Sequence, residues 1–124
     1  MPGVMQSAIG TILVCEPRSF WAPALQREFE QSAFFVRGCR SLRDLPGLMD
    51  LPRGIVVCDV TVQPAEFLNW FATPASRRWP SLVCASPATA ELEPVFRELG
   101  VRSFQTDFIA PRELARICRR WLGL

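Results

Sequence analysis

The stretch Gly54-Ile55-Val56-Val57-Cys58-Asp59-Val60 constrains this chain more than any other. It is short, apolar and rich in β-branched residues, and it is entered through Pro52-Arg53-Gly54. Such a run predicts a strand buried on both faces of a sheet. The strand ends in a carboxylate, and open parallel sheets bind their ligands beyond the carboxyl ends of their strands. Asp59 is therefore the residue at which function is expected.

The flanking segments supply the rest of the sheet. Thr11-Ile12-Leu13-Val14-Cys15 predicts a buried strand that ends at Glu16-Pro17-Arg18. Ser19 is the expected N-cap of the next helix, with Pro23 tolerated near its first turn and Leu25, Phe29 and Ala33 on its inward stripe. Phe34-Phe35-Val36 predicts a second strand, and residues 41–51 a short helix or turn interrupted at Pro46-Gly47. Pro64 to Phe71 predicts a helix with Phe67, Leu68 and Phe71 inward, followed by a loop from Thr73 to Pro80. Ser81 to Ala85 is a fourth strand and Val101 to Gln105 a fifth. Between them lies a helix with Pro94 near its start and Gly100 as its stop. The cleanest periodicity comes last: after Pro111, the residues Leu114, Ile117, Cys118, Trp121 and Leu122 repeat at helical spacing. Arg112, Glu113, Arg116, Arg119 and Arg120 fill the opposite face.

Five strands alternating with helices make an α/β domain with a parallel sheet and right-handed crossovers. The expected architecture is a flavodoxin-like (βα)5 three-layer sandwich with strand order 2-1-3-4-5. Its pocket would lie above Glu16, Asp59 and Ala85-Ser86. Residues 1–10 are unpatterned and expected to form a flexible N-terminus, with residues 11–124 as a single domain. A net charge of +2 is too small to argue for nucleic acid, and no apolar run approaches the roughly 18 residues of a membrane helix. No charged segment precedes an apolar stretch at the N-terminus, so no secretory signal is expected. Five cysteines without a CxxC pair argue for a reducing compartment, hence the cytoplasm. The chain contains no histidine, which removes the commonest general base and metal ligand.

Along nearly its whole length the chain resembles the receiver domain of bacterial two-component response regulators. Ile12-Leu13-Val14-Cys15-Glu16-Pro17 matches the first strand and its acidic end, and Val56-Val57-Cys58-Asp59 the strand bearing the phosphoacceptor. Pro80-Ser81-Leu82-Val83-Cys84-Ala85-Ser86 matches the fourth strand, which in the family ends in threonine or serine. Gly100 to Phe108 matches the segment closed in the family by a lysine-proline pair, and Pro111-Arg112-Glu113-Leu114 opens the last helix. The resemblance implies a signalling module, not an enzyme, whose partner face combines the fourth helix, fifth strand and last helix.

The family's chemistry is matched less well than its fold. Receivers accept phosphate on aspartate with Mg²⁺ held by carboxylates, but here the second acidic position is Pro17, which has no ligand atom. Ala85 replaces the hydroxyl that binds the phosphoryl oxygen, and Ser86, one residue later, would face the other way in a continuing strand. Asp107 stands where the family has lysine, and Phe108 where it has proline. Reversing that charge opposes the acceptor carboxylate by up to about 4 kcal/mol at about 4 Å and an effective dielectric near 20. The chain therefore reads as a degenerate receiver, a pseudo-receiver that acts by protein contact. The alternative within the family is weak, Mg²⁺-dependent phosphorylation of Asp59. From another class, a small flavodoxin-like enzyme or cofactor carrier is disfavoured, because no Gly-rich turn follows the first strand to cradle a phosphate.

Two readings stand for the acidic residues. Asp59 is a vestigial carboxylate at a strand end, or Glu16, Asp59 and Asp107 form a cluster that recruits Mg²⁺ or Ca²⁺. Arg18 is a further candidate for the missing positive charge. Cys15, Cys58 and Cys84 near strand ends read as small hydrophobes or as a thiolate site, the first being the commoner use. Phe104 occupies the family's aromatic switch position, and core packing is its default. Trp79 beside Arg77 and Arg78, with Arg116 and Arg120 on the last helix, is a candidate contact surface for a protein partner or a second copy. Core packing beneath the loop is the competing reading of Trp79.

Overall fold

The structure, a computed structural model, describes residues 9–124. Most of the expected N-terminal segment, residues 1–8, lies outside the described residues; Gly10 already belongs to the first strand. Five strands form one parallel sheet: β1 (Gly10–Cys15), β2 (Phe34–Cys39), β3 (Gly54–Asp59), β4 (Ser81–Cys84) and β5 (Ser103–Gln105). Their order is β2-β1-β3-β4-β5, as the sequence predicts. The helices are α1 (Trp21–Glu28), α2 (Leu45–Leu48), α3 (Pro64–Phe71), α4 (Glu93–Glu98) and α5 (Pro111–Leu122). Among the described residues no helix is long and apolar enough to cross a membrane.

Alternation along the central strands builds two cores. Ile12, Val14, Ile55, Val57 and Leu82 point to one face, where α1 and α5 cover them with Leu25, Leu114 and Cys118. Leu13, Val56 and Val83 point to the other, under Phe67, Phe71, Phe96 and Phe104. Neighbouring strands meet in register, with Val14 opposite Val57 and Cys58 opposite Val83, so both faces present continuous apolar surface. Every residue of β1 is buried, which explains why its sequence reads as an unbroken apolar run.

Several boundaries move for physical reasons. β2 extends to Cys39 although Arg37 and Gly38 break its pattern, because it is an edge strand and much of it meets solvent. The helix at residues 45–48 continues through Pro46, which stands in its first turn, where a missing N–H leaves no bond unmade. In α5, Leu114, Cys118 and Leu122 are buried as expected, but Ile117 and Trp121 are only half-buried and Ala115 takes the remaining inward place. Gly100 ends α4 as expected, with a φ of 104° that a side chain would strain.

The start of α1 departs most from expectation. Phe20, not Ser19, is the N-cap, and no side chain at that position accepts a bond. The cap arrives instead from the end of β1. The Glu16 carboxylate accepts from the Trp21 N–H at 2.9 Å through Oε1 and from the Ala22 N–H at 3.0 Å through Oε2. A negative charge at a helix N-terminus meets both the unpaired donors and the positive end of the helix dipole.

Candidate functional site at the carboxyl ends of the strands

Asp59 is the last residue of β3 and is half-buried. Its Oδ1 accepts from the Thr61 N–H at 3.0 Å and the Thr61 hydroxyl at 2.7 Å. This local turn directs the chain away from the sheet and fixes the carboxylate between two cavities. The first, of about 300 Å³, lies towards β1 and α3 and is lined by Glu16, Arg40, Arg43, Asp59 and Glu66 among others. The second, of about 430 Å³, lies towards β4, β5 and α1 and is lined by Phe20, Trp21, Asp59, Ala85, Asp107 and Phe108 among others.

The three carboxylates therefore do not act as one cluster. Glu16 is 4% exposed and both of its oxygens are committed to capping α1. Asp107 is exposed and shares only the second cavity with Asp59. Among the described residues no group of three His, Cys, Asp or Glu side chains is placed to hold a metal ion. A hard cation takes six or more oxygen donors, with carboxylates foremost. Pro17 offers none, and Arg40 and Arg43 face the same cavity as Glu16 and Asp59. Glu16, Asp59 and Asp107 thus do not gather into the single three-carboxylate cluster that the sequence suggests.

Arg18 is exposed and lines neither cavity. The cations that share a cavity with Asp59 are Arg40 and Arg43, which follow β2 and are not among the site residues the sequence suggests. Their only signal is their place just beyond the carboxyl end of a strand. All the basic residues of this chain are arginines.

Ala85 follows β4 and its N–H donates to the Gln105 carbonyl at 2.7 Å, so it continues the sheet without contributing a hydroxyl. Ser86 starts the next turn instead: its own N–H donates to the Thr89 hydroxyl at 3.1 Å, in a reciprocal cap. Phe104 is 5% exposed and packs on Phe96 with ring centroids 5.5 Å apart, which places it in the core. Phe108 is the opposite case. It is 75% exposed, stacks on Trp21 at 6.1 Å and meets the edge of Phe20 at 6.3 Å. These three rings form a lip beside the second cavity, of which Phe108 is the one member marked in the sequence.

The cysteines divide between the faces. Cys39, Cys15 and Cys58 lie side by side on β2, β1 and β3, whereas Cys84 and Cys118 belong to the opposite core. The hydrogen bond to Cys39, together with burial, pushes the Cys15 thiol up, and the same bond pulls Cys39 down. Burial raises Cys58 well above the usual thiol range. Cys84 is pushed up to about 12 by burial and by the charge of Asp59. The raised thiols of Cys15, Cys58 and Cys84 stay protonated at neutral pH, which fits small buried hydrophobes.

The candidate contact residues do not form one surface. Trp79 is 2% exposed, lies over Gly54 and donates its indole N–H to the Leu51 carbonyl at 3.2 Å. It is core packing beneath the loop, which corrects its assignment to a contact surface. Arg77 and Arg78 are exposed on that loop. Arg116 and Arg120 are exposed on α5, where Arg116 pairs with Glu113 at 3.3 Å. Arg78 and Trp79 line a common cavity with Arg53, Arg102 and Trp121, at the amino ends of the strands.

Solved structures settle what this architecture is. A response regulator from Thermotoga maritima is 14% identical over 93% of this chain and 98% of its own, with a TM-score of 0.75. The chain has the receiver-domain fold. An orphan response regulator of H. pylori follows at 18% identity, 94% and 98% coverage and a TM-score of 0.72. A putative pilus assembly-related protein from Burkholderia pseudomallei superposes over 96% of this chain and 92% of its own, at 16% identity and a TM-score of 0.68. No family model and no curated protein matches the sequence.

Proposed function

We propose that this chain is a receiver-fold signalling module that works by binding a protein partner, without acyl-phosphate chemistry at Asp59. The observation that carries this reading is Asp107, exposed in the cavity it shares with Asp59, where a receiver places its lysine. A phosphoryl group on Asp59 would add negative charge beside a second carboxylate, in a cavity whose lining includes no basic residue. The hydroxyl that would receive it is absent at Ala85, and Phe104 is already inward. The docking face proposed for a partner, or for a second copy, is the one made by α4, β5 and α5, where Val95 is 43% exposed and Arg120 meets solvent.

A second reading, slow phosphorylation of Asp59, is favoured by Arg40 and Arg43, which bring positive charge to the other cavity beside it. A flavodoxin-like enzyme gains less support. The N-terminus of α1, where a nucleotide phosphate would sit, is filled by the chain's own Glu16 carboxylate.

Intact-mass spectrometry after incubation with acetyl phosphate and Mg²⁺, with thermal unfolding in beryllofluoride, separates these readings. The expected result is no adduct and no stabilisation in the wild type, with a gain of either in Asp107→Lys. A Mg²⁺-dependent acyl phosphate in the wild type that disappears in Asp59→Asn would overturn the proposal.

A further inference from the structure

We propose that the cavity between Asp59, Asp107 and Phe108 takes the side chain of an arginine presented by a protein partner. The inference rests on the reading above and names the chemistry of that partner. The cavity of about 430 Å³ has two carboxylates in its lining and no basic residue. None of the ion pairs among the described residues involves Asp59 or Asp107. Among the described residues, the hydrogen bonds to Asp59 both go to Oδ1, which leaves Oδ2 for a ligand.

The second observation is independent of charge. Phe108 keeps 75% of its surface exposed and Phe20 48%, although Trp21, on which Phe108 stacks, is buried. Two adjoining aromatic rings held in solvent at the mouth of a cavity mark a contact site rather than core packing. An aromatic face also attracts cations through its quadrupole.

Carboxylates and exposed ring faces together select among ligands. An anion meets like charge at Asp59 and Asp107. A purely apolar group would desolvate both carboxylates without pairing them. A bare divalent cation lacks donors, since no group of three ligating side chains is placed for it among the described residues. A guanidinium satisfies both features at once, because it is planar, stacks on aromatic rings and donates in pairs to carboxylates. Lysine offers a point charge and cannot stack in that way. The partner's arginine would return, in trans, the positive charge lost with the receiver lysine.

The test is a nitrogen-proton correlation titration of the whole chain with a blocked Gly-Arg-Gly peptide and with its neutral citrulline counterpart. Saturable shifts are expected at Phe20, Trp21, Thr61, Asp107 and Phe108, with the citrulline peptide about tenfold weaker. Asp107→Asn and Phe108→Ala, both at exposed positions, should each weaken arginine binding by about three- to tenfold while the rest of the spectrum is retained. Equal affinity for the two peptides, or binding indifferent to Asp107→Asn, would overturn the inference. So would a concentration-dependent dimer in sedimentation that Asp107→Asn dissolves, because the occupant would then be a second copy. An acetyl phosphate arm keeps the two readings apart: no arginine binding and no acyl phosphate sinks the inference alone, whereas an acyl phosphate on Asp59 sinks the reading it rests on.

Discussion

Trp79 precedes β4 at the amino end of the sheet, while Asp59 closes β3 at its carboxyl end. Around Trp79 the chain closes on itself. Its ring fills the space that a side chain on Gly54 would need, since a Cβ there would run into it, and its N–H donates to the Leu51 carbonyl. Nearby, the Arg53 guanidinium donates to the Leu122 carbonyl and lies over Phe34, so even a cation is used for closure. Around Asp59 the chain leaves carboxylates and aromatic rings facing two cavities. A cavity of about 240 Å³ also lies beside Trp79, but there Trp79 and Arg53 are spent on packing, so this is the sealed end of the sheet and the Asp59 end the open one. Groups at the sealed end should matter for stability, and those at the open end for recognition.

Trp79→Ala tests the sealed end and should have the largest effect, a loss of about 3–5 kcal/mol in urea unfolding. A loss below about 1 kcal/mol would show that the loop is not part of the core, breaking the comparison. Glu16 is the exception that sharpens it, because it stands at the open end but is buried in a structural role. Glu16→Ala removes two charge-assisted bonds to the start of α1 and should cost about 2–3 kcal/mol. Glu16→Gln keeps one acceptor oxygen and should cost visibly less. Were Glu16 a metal ligand instead, both variants would be stable without metal.

Alkaline pH probes the interior between the two ends. The Cys84 and Cys118 thiols are each raised from 9.0 to about 12, chiefly by burial. A raised folded-state pKa means that unfolding releases protons once the pH passes the unfolded value. The stability these thiols contribute is therefore complete below about pH 9 and is lost as pH rises towards about 12. The slope should be up to about 1.4 kcal/mol per thiol for each pH unit. Cys84→Ala should flatten the curve of stability against pH over that window, whatever it does to stability at neutral pH.

What could be read from the sequence follows the range of the interactions involved. β3, α3 and α5 are marked by local periodicity, and their ends fall where proline, glycine or a carboxylate places them. Asp107 and Ala85 are legible for the same reason, since each is a matter of residue type at one position. The role of Glu16 is not, because a carboxylate after a strand reads equally as a ligand or a cap until the next helix start is seen to reach it. Trp79 resembles a loop tryptophan among arginines, and nothing in the sequence ties it to Gly54 across 25 positions. The aromatic lip needs α1 and the segment after β5 to be adjacent, which only the parallel topology establishes.

The smallest expected effects belong to the open end, and their smallness is the point. Asp59→Asn retains an amide oxygen that accepts from Thr61, so the turn after β3 keeps its bonds. Asp107 is exposed and free of the ion pairs among the described residues, so Asp107→Asn removes little that the fold uses. Each variant should unfold within about 0.5 kcal/mol of the wild type, the range of surface changes away from buried networks. If the two carboxylates repel each other across their cavity, each single variant should be slightly more stable than the wild type. The double variant would then gain less than the sum, a non-additivity expected only of neighbours. A loss above about 1 kcal/mol in either single variant would mean that the open end holds the fold together as the sealed end does, and the division between stability and recognition would fail.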